Sequence, residues 1–223
     1  MKKKSVKKQP KKQSTNKKYE RHEEKKSIIT KLMGWIDTTP NNVPFNRRLG
    51  AYVLDWIIGG IFLGLPAVFI YGGVTGRDDM FSDLYVFESL GHDGKWAFIA
   101  GFLCVLFALF YYVYVPWKIY EGQTLGKRWL KLKVVSVDGS NASLKQLVLR
   151  NVVGMFLLES GSLVVCGYIR QMVTLALSFY VDYPWQMLGT ILFILSAMLV
   201  AGTASHRAFH DYIGKTKVIE VNE

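Results

Sequence analysis

The sequence predicts an all-α transmembrane helical bundle of about four spans, N-in/C-in, with a small cytoplasmic β-like element and a disordered basic N-terminal tail. Three observations carry that prediction. Half of the 223 residues are hydrophobic although the formal net charge is +11, a combination that suits a chain in which charge and apolar residues are kept apart. They are kept apart: residues 1–49 hold 15 Lys/Arg against 4 Asp/Glu, the whole surplus of +11, and the other 174 residues hold 13 of each sign. Four apolar stretches then approach the roughly 20 residues that an α-helix needs to cross a bilayer.

Residues 1–46 read as a lysine-rich cytoplasmic tail and 47–223 as the membrane domain. Lys2, Lys3, Lys4, Lys7, Lys8, Lys11, Lys12, Lys17 and Lys18 are spaced by Gln, Ser, Thr and Asn, a composition with too little apolar surface to fold. The tail resembles the basic start of a signal peptide, but Ile28 to Ile36 is too short for the apolar region and contains Lys31, so a cleaved signal is rejected. Its lysines suit anionic lipid headgroups, each contributing about 1 kcal/mol near a charged surface. Nucleic acid is the poorer partner, because Tyr19 is the lone aromatic before Trp35.

The spans follow. Residues 49–73 are apolar except for Asp55, 96–117 carry no charge, 151–169 carry Glu159, and 185–205 carry none before His206. Gln171 to Val181 is uncharged but only 11 residues long, which suits a re-entrant or interfacial segment or an extension of the third span. Loop charges set the orientation. The loop 74–95 holds Arg77 and Lys95 against Asp78, Asp79, Asp83, Glu88 and Asp93, and belongs outside; the loop 118–150 holds seven basic residues against Glu121 and Asp138, and belongs inside. In that inner loop Lys131 to Val137 alternates like a strand, Asp138-Gly139 is a turn dipeptide, and Ser143 reads as a helix N-cap. A second strand-like run, Lys215 to Val221, is a candidate partner for it.

Asp55 is the leading candidate for chemistry, because a carboxylate at mid-membrane costs about 2.5–3.5 kcal/mol and marks a functional site by default. Arg48 lies seven residues earlier on the same helical face, within reach of the headgroups or of Asp55. The blander reading makes Asp55 a helix-packing acid bonded to a neighbouring helix. Glu159, followed by Ser160-Gly161-Ser162, is a second carboxylate in a segment that reads as one span or as two half-membrane helices. Asp211 falls on the same inner face as Arg48, and an Arg48–Asp211 pair would clamp the first span to the last. His206 and His210 are four residues apart, but HRAFH lacks the Glu of a zinc-protease motif, so no metal is expected. Residues 122–128 (GQTLGKR) lack the spacing and the Ser/Thr of a phosphate loop, and Cys104 and Cys166 sit in apolar runs as packing residues. No cofactor and no enzymatic activity are expected.

Residues 48–55 (RLGAYVLD) resemble the opening motif of the RDD family of membrane proteins, named for one arginine and two aspartates. GQTLGKRWLKLKVVSVDG at 122–139 resembles that family's central motif, and His210-Asp211 with Gly214-Lys215-Thr216 its closing one. The resemblance implies Arg48, Asp55 and Asp211 as the named trio. It also implies a transporter of unidentified ligands, with cation/proton exchange proposed for some members. On that basis the expected function is a small multi-pass cell-membrane transporter or cation/proton exchanger. Asp55 would hold the proton or cation, tuned by Arg48, with Glu159 as a second site, working as a homo-oligomer. The alternative is a non-transporting scaffold that binds anionic lipid or a partner protein through its basic cytoplasmic face.

Overall fold

The computed structural model describes residues 35–41, 43–160 and 163–221. The nine tail lysines singled out above lie outside the described residues. A long apolar run forms α1, Phe45–Thr75, which ends where Gly76 takes φ 67° and returns its N–H to Gly72. A short α2, Val86–Ser89, buries Phe87 and leads into α3, Lys95–Leu109. The helix α3 continues through wider π-helical turns over Phe110–Ile119. A basic loop carries α4, Leu125–Trp129, and β1, Leu132–Ser136. Next come α5, Leu144–Val148, with a second π-helical segment, Leu149–Leu158. The chain closes with α6, Val164–Leu177, α7, Asp182–Gly202, α8, Phe209–Ile213, and β2, Thr216–Glu220.

Among the described residues, three helices are long and apolar enough to cross a membrane: Phe45–Thr75, Lys95–Ile119 and Asp182–Gly202. Their outward faces expose side chains such as Phe62, Phe69, Phe102, Leu188 and Ile191, which a bilayer solvates and water does not. The expected third span, 151–169, is not one helix. It breaks after Leu158, and the reason is polar: Glu159 accepts hydrogen bonds from α7 and α8, while the Ser160 carbonyl accepts one from Arg170 Nη1 (2.6 Å). The chain there lies so close to α7 that a Cβ on Gly189 would stand 2.9 Å from the Ser160 nitrogen. Residues 171–177, uncertain in the sequence, are the second half of α6.

The two strand-like runs do pair. Strands β1 and β2 form an antiparallel two-stranded sheet in the register Leu132↔Glu220 to Ser136↔Thr216, with Leu132, Val134 and Val218 buried beneath it. Ser143 caps α5, accepting from the Gln146 backbone while Gln146 returns its side chain to Ser143. Residues that the sequence assigns to the tail belong to the folded body. Val43 is buried, Asn41 Nδ2 donates to the Ser205 and Val218 carbonyls (3.1 and 3.0 Å), and the Tyr212 hydroxyl donates to Asp37 (3.0 Å).

Candidate functional site

The inner-loop turn that precedes β1 is built around one carboxylate. Asp55 is 2% exposed and receives four donors, two on each oxygen. Tyr111 Oη (2.8 Å) and the Gly126 N–H (3.0 Å) reach Oδ1; Thr124 Oγ1 (2.6 Å) and Lys127 Nζ (2.7 Å) reach Oδ2. Glycine is needed at 126 because a Cβ there would stand 2.7 Å from the Ala51 carbonyl and from Asp55 itself. Gly122, at φ 73°, starts the turn and gives its carbonyl to the Val134 N–H (2.8 Å). GQTLGK is therefore a cradle whose anion is internal: the side chain of Asp55. The expected contact of Arg48 with Asp55 is absent among the described residues, since Lys127, 72 residues downstream, is the cation that pairs with it.

Arg48 instead reaches the end of the fold. Its Nη2 meets Asp211 Oδ2 at 2.5 Å and its Nη1 donates to the His206 carbonyl. The seven-residue spacing puts Arg48 and Asp55 on one face, but the arginine side chain at the helix start runs to α8 rather than along α1. Asp211 is fully buried; it also pairs with Arg150 Nη1 and accepts from the Ala208 N–H (2.9 Å) and Thr216 Oγ1 (3.3 Å). One carboxylate thus ties α1, the second π segment, α8 and β2. Arg150 counted only as a topology charge in the sequence; nothing there marked it as a partner.

The third carboxylate differs. Glu159 Oε1 accepts from Ser196 Oγ (2.7 Å) and the His210 N–H (2.9 Å), and Oε2 from His210 Nδ1 (2.8 Å). Burial lowers the His210 pKa to about 4. The neutral ring then donates from Nδ1 to Glu159 and accepts at Nε2 from Arg150 Nη2 (3.2 Å), a tautomer assigned from the bonding pattern. His206 and His210 do not share a helical face, because α8 begins at Phe209 and His206 sits before it at φ 49°. Among the described residues no group of three or more His, Cys, Asp or Glu side chains is placed to hold a metal ion.

Beside Glu159 lies a cavity of about 110 Å³ between α1 and α7. Its polar lining is Arg48, Lys127, Glu159, Ser196 and His210; Leu49, Phe193, Ala197 and Val200 are among its apolar walls. Tyr52 of α1 and Phe193 of α7 close one side with ring centroids 5.6 Å apart. Asp55 and Asp211 do not line it. A separate buried pair, Arg170 Nε to Asp182 Oδ1 (2.7 Å), holds the opposite end of α7 to α6.

The arginine and the two aspartates that the sequence singled out are thus framework charges at the joint of loop, sheet and helices. The RDD family model matches residues 43–215, more than three quarters of the chain. The chain belongs to the RDD family. No curated protein and no solved structure matches it. In this RDD protein Arg48 and Asp211 bond each other, whereas Asp55 answers to Lys127 and Arg150 completes the Asp211 pair. In the sequence Lys127 is only one basic residue of a glycine turn without nucleotide-binding spacing, and nothing there ties it to Asp55.

Proposed function

We propose that this RDD membrane protein is a small carrier, a transporter or cation/proton exchanger, whose ionisable site is Glu159 with His210 rather than Asp55. One observation carries the reading: of the three carboxylates described above, Glu159 alone lines the cavity, and it sits at a break between two helical segments. Asp55, with each oxygen already accepting two hydrogen bonds, has no acceptor position left for a transported cation. Adding a proton to Glu159 weakens the acceptor that ties Ser196 of α7 and the His210 backbone of α8 to the break. Ligand or proton occupancy and the seating of α7 are then linked.

The arrangement supports four crossings with both ends inside, the third made by the broken pair Leu149–Leu158 and Val164–Leu177. Arg150 at the start of that pair bonds Asp211, and Asp182 after its end accepts from Tyr85 in the acidic loop (3.3 Å), contacts that suit a pair running between opposite faces. The basic loop and sheet would then face the cytoplasm.

The test is dissipation of an imposed pH gradient by Na⁺ or K⁺ in proteoliposomes. Wild type collapses the gradient and Glu159→Gln does not; an undiminished flux in the variant refutes the role. The scaffold reading draws support from the saturated pairs at Asp55 and Asp211, and gains if wild type carries no flux while its fold depends on those pairs.

A further inference from the structure

The cavity between α1 and α7 sits at a definite depth. Helix α1 starts at Phe45 and α7 ends at Gly202, so at about 1.5 Å per residue Tyr52 lies ~10 Å from one end and Phe193 ~14 Å from the other. With those two ends at the membrane edge, that is the level of the headgroups and first acyl carbons of a single leaflet. Its lip is apolar and lipid-facing: Leu49 on α1 and Ala197 on α7 are both exposed. Its inner wall presents two cations, each already paired with a carboxylate. Arg48 has five N–H donors, two of them given to Asp211 and the His206 carbonyl; Lys127 has three, two given to Asp55 and Thr124. Both cations therefore keep donors beyond those bonds.

Glu159 also lines the cavity, but its charge is met by Ser196 and by the backbone and ring of His210. Arg48 and Lys127 are balanced by Asp211 and Asp55, so what the wall offers a ligand is their remaining N–H donors and not a surplus charge. Cationic donors between membrane helices, beside a lip open to the acyl region, suit the phosphate of a lipid headgroup. We propose that the cavity holds one anionic phospholipid. Its phosphodiester lies against Arg48 and Lys127, and its chains leave between Leu49 and Ala197 into the bilayer. The inference deepens the preceding section and rests on its reading of the cavity as a ligand site, though not on transport itself. Phosphate bound by arginine and lysine in a partly dry site makes charge-assisted hydrogen bonds that a zwitterionic headgroup shares with its own amine.

Native mass spectrometry of the full chain in detergent tests this, with phosphatidylglycerol and phosphatidylcholine of matched chains as probes and inorganic phosphate as the free-anion control. Wild type should retain one phosphatidylglycerol at roughly ten-fold higher occupancy than phosphatidylcholine. Ala197→Trp, which fills the lip without touching the charge network, should lower that retention about ten-fold, and Leu49→Trp does the same from the opposite wall. Equal retention of both lipids overturns the proposal, as does unchanged retention in the two folded tryptophan variants. Displacement of the lipid by millimolar phosphate also overturns it, in favour of a free-anion site. Retained lipid with no Glu159-dependent flux refutes the carrier and leaves the lipid site standing; flux without lipid selectivity does the reverse.

Discussion

Replacing Asp55 by Asn separates a structural lock from a transport site. The side chain keeps its shape but exchanges one acceptor oxygen for a donor and removes the charge facing Lys127. With the amide oxygen turned to Thr124 and Lys127, the amide NH2 meets the Gly126 N–H, donor against donor; turned the other way, it meets the Lys127 ammonium. Either way a cation loses its counter-charge in a largely buried setting. Breaking a buried pair by removing one partner costs about 3–5 kcal/mol. The lower end applies here, because the Lys127 side chain keeps 16% of its exposure and can recover some hydration. A loss of about 3 kcal/mol is a large share of a stability of roughly 5–15 kcal/mol. At about 2–4 °C per kcal/mol for a chain of this size, the melting temperature in detergent should fall by about 6–12 °C. Lys127→Met in the Asp55→Asn background removes the stranded charge, so the double variant should melt above the sum of the single losses. A single variant that melts within about 2 °C of wild type, or strictly additive losses, would refute the lock.

Gly126→Ala forces a methyl against the α1 backbone at Ala51 and against Asp55, and should cost about 1–3 kcal/mol and open the Tyr120–Leu130 turn to limited proteolysis; unchanged protection would contradict the close approach. Stability should also fall on acidification between pH 6.5 and 4. The ring of His210 is held below its ordinary 6.5, at about 4, by burial and by the charges of Arg150 and Arg48, against the upward pull of Glu159, so in that window the unfolded chain binds the extra proton. Its contribution is whole above pH 6.5 and is lost as pH falls toward 4; His210→Gln should flatten that part of the melting profile, and an unchanged slope would show that another group titrates.

Much of the fold was legible because bilayer-crossing helices need only length and apolarity, which 49–73, 96–117 and 185–205 display openly. The sheet was legible from alternation at Lys131 to Val137 and Lys215 to Val221. The Arg48–Asp211 pair was expected from the loop charges, which suggested one face for both residues, and the two do bond. What stayed hidden depends on tertiary pairing. Lys127 and Arg150 look like any other basic loop residue until the loop folds back onto α1 and α8. The break at Glu159 was half legible in the polar residues after it, but composition does not tell whether a carboxylate crosses inside a helix or ends one. That decision is made by Ser196 and His210, which lie 37 and 51 residues further on.

The Asp211 joint also has a history in time. Arg48 and its carboxylate are separated by 163 residues, and Arg150 by 61 from the same group. At a synthesis rate of about 5–20 residues per second, the first helix waits roughly 8–33 s before the aspartate exists. Arg48 waits through that whole interval for its partner, and Arg150 joins it for the last 61 residues. Nascent chains should therefore stay with the insertion machinery until α8 emerges, when Asp211 acts as the latch that closes the joint.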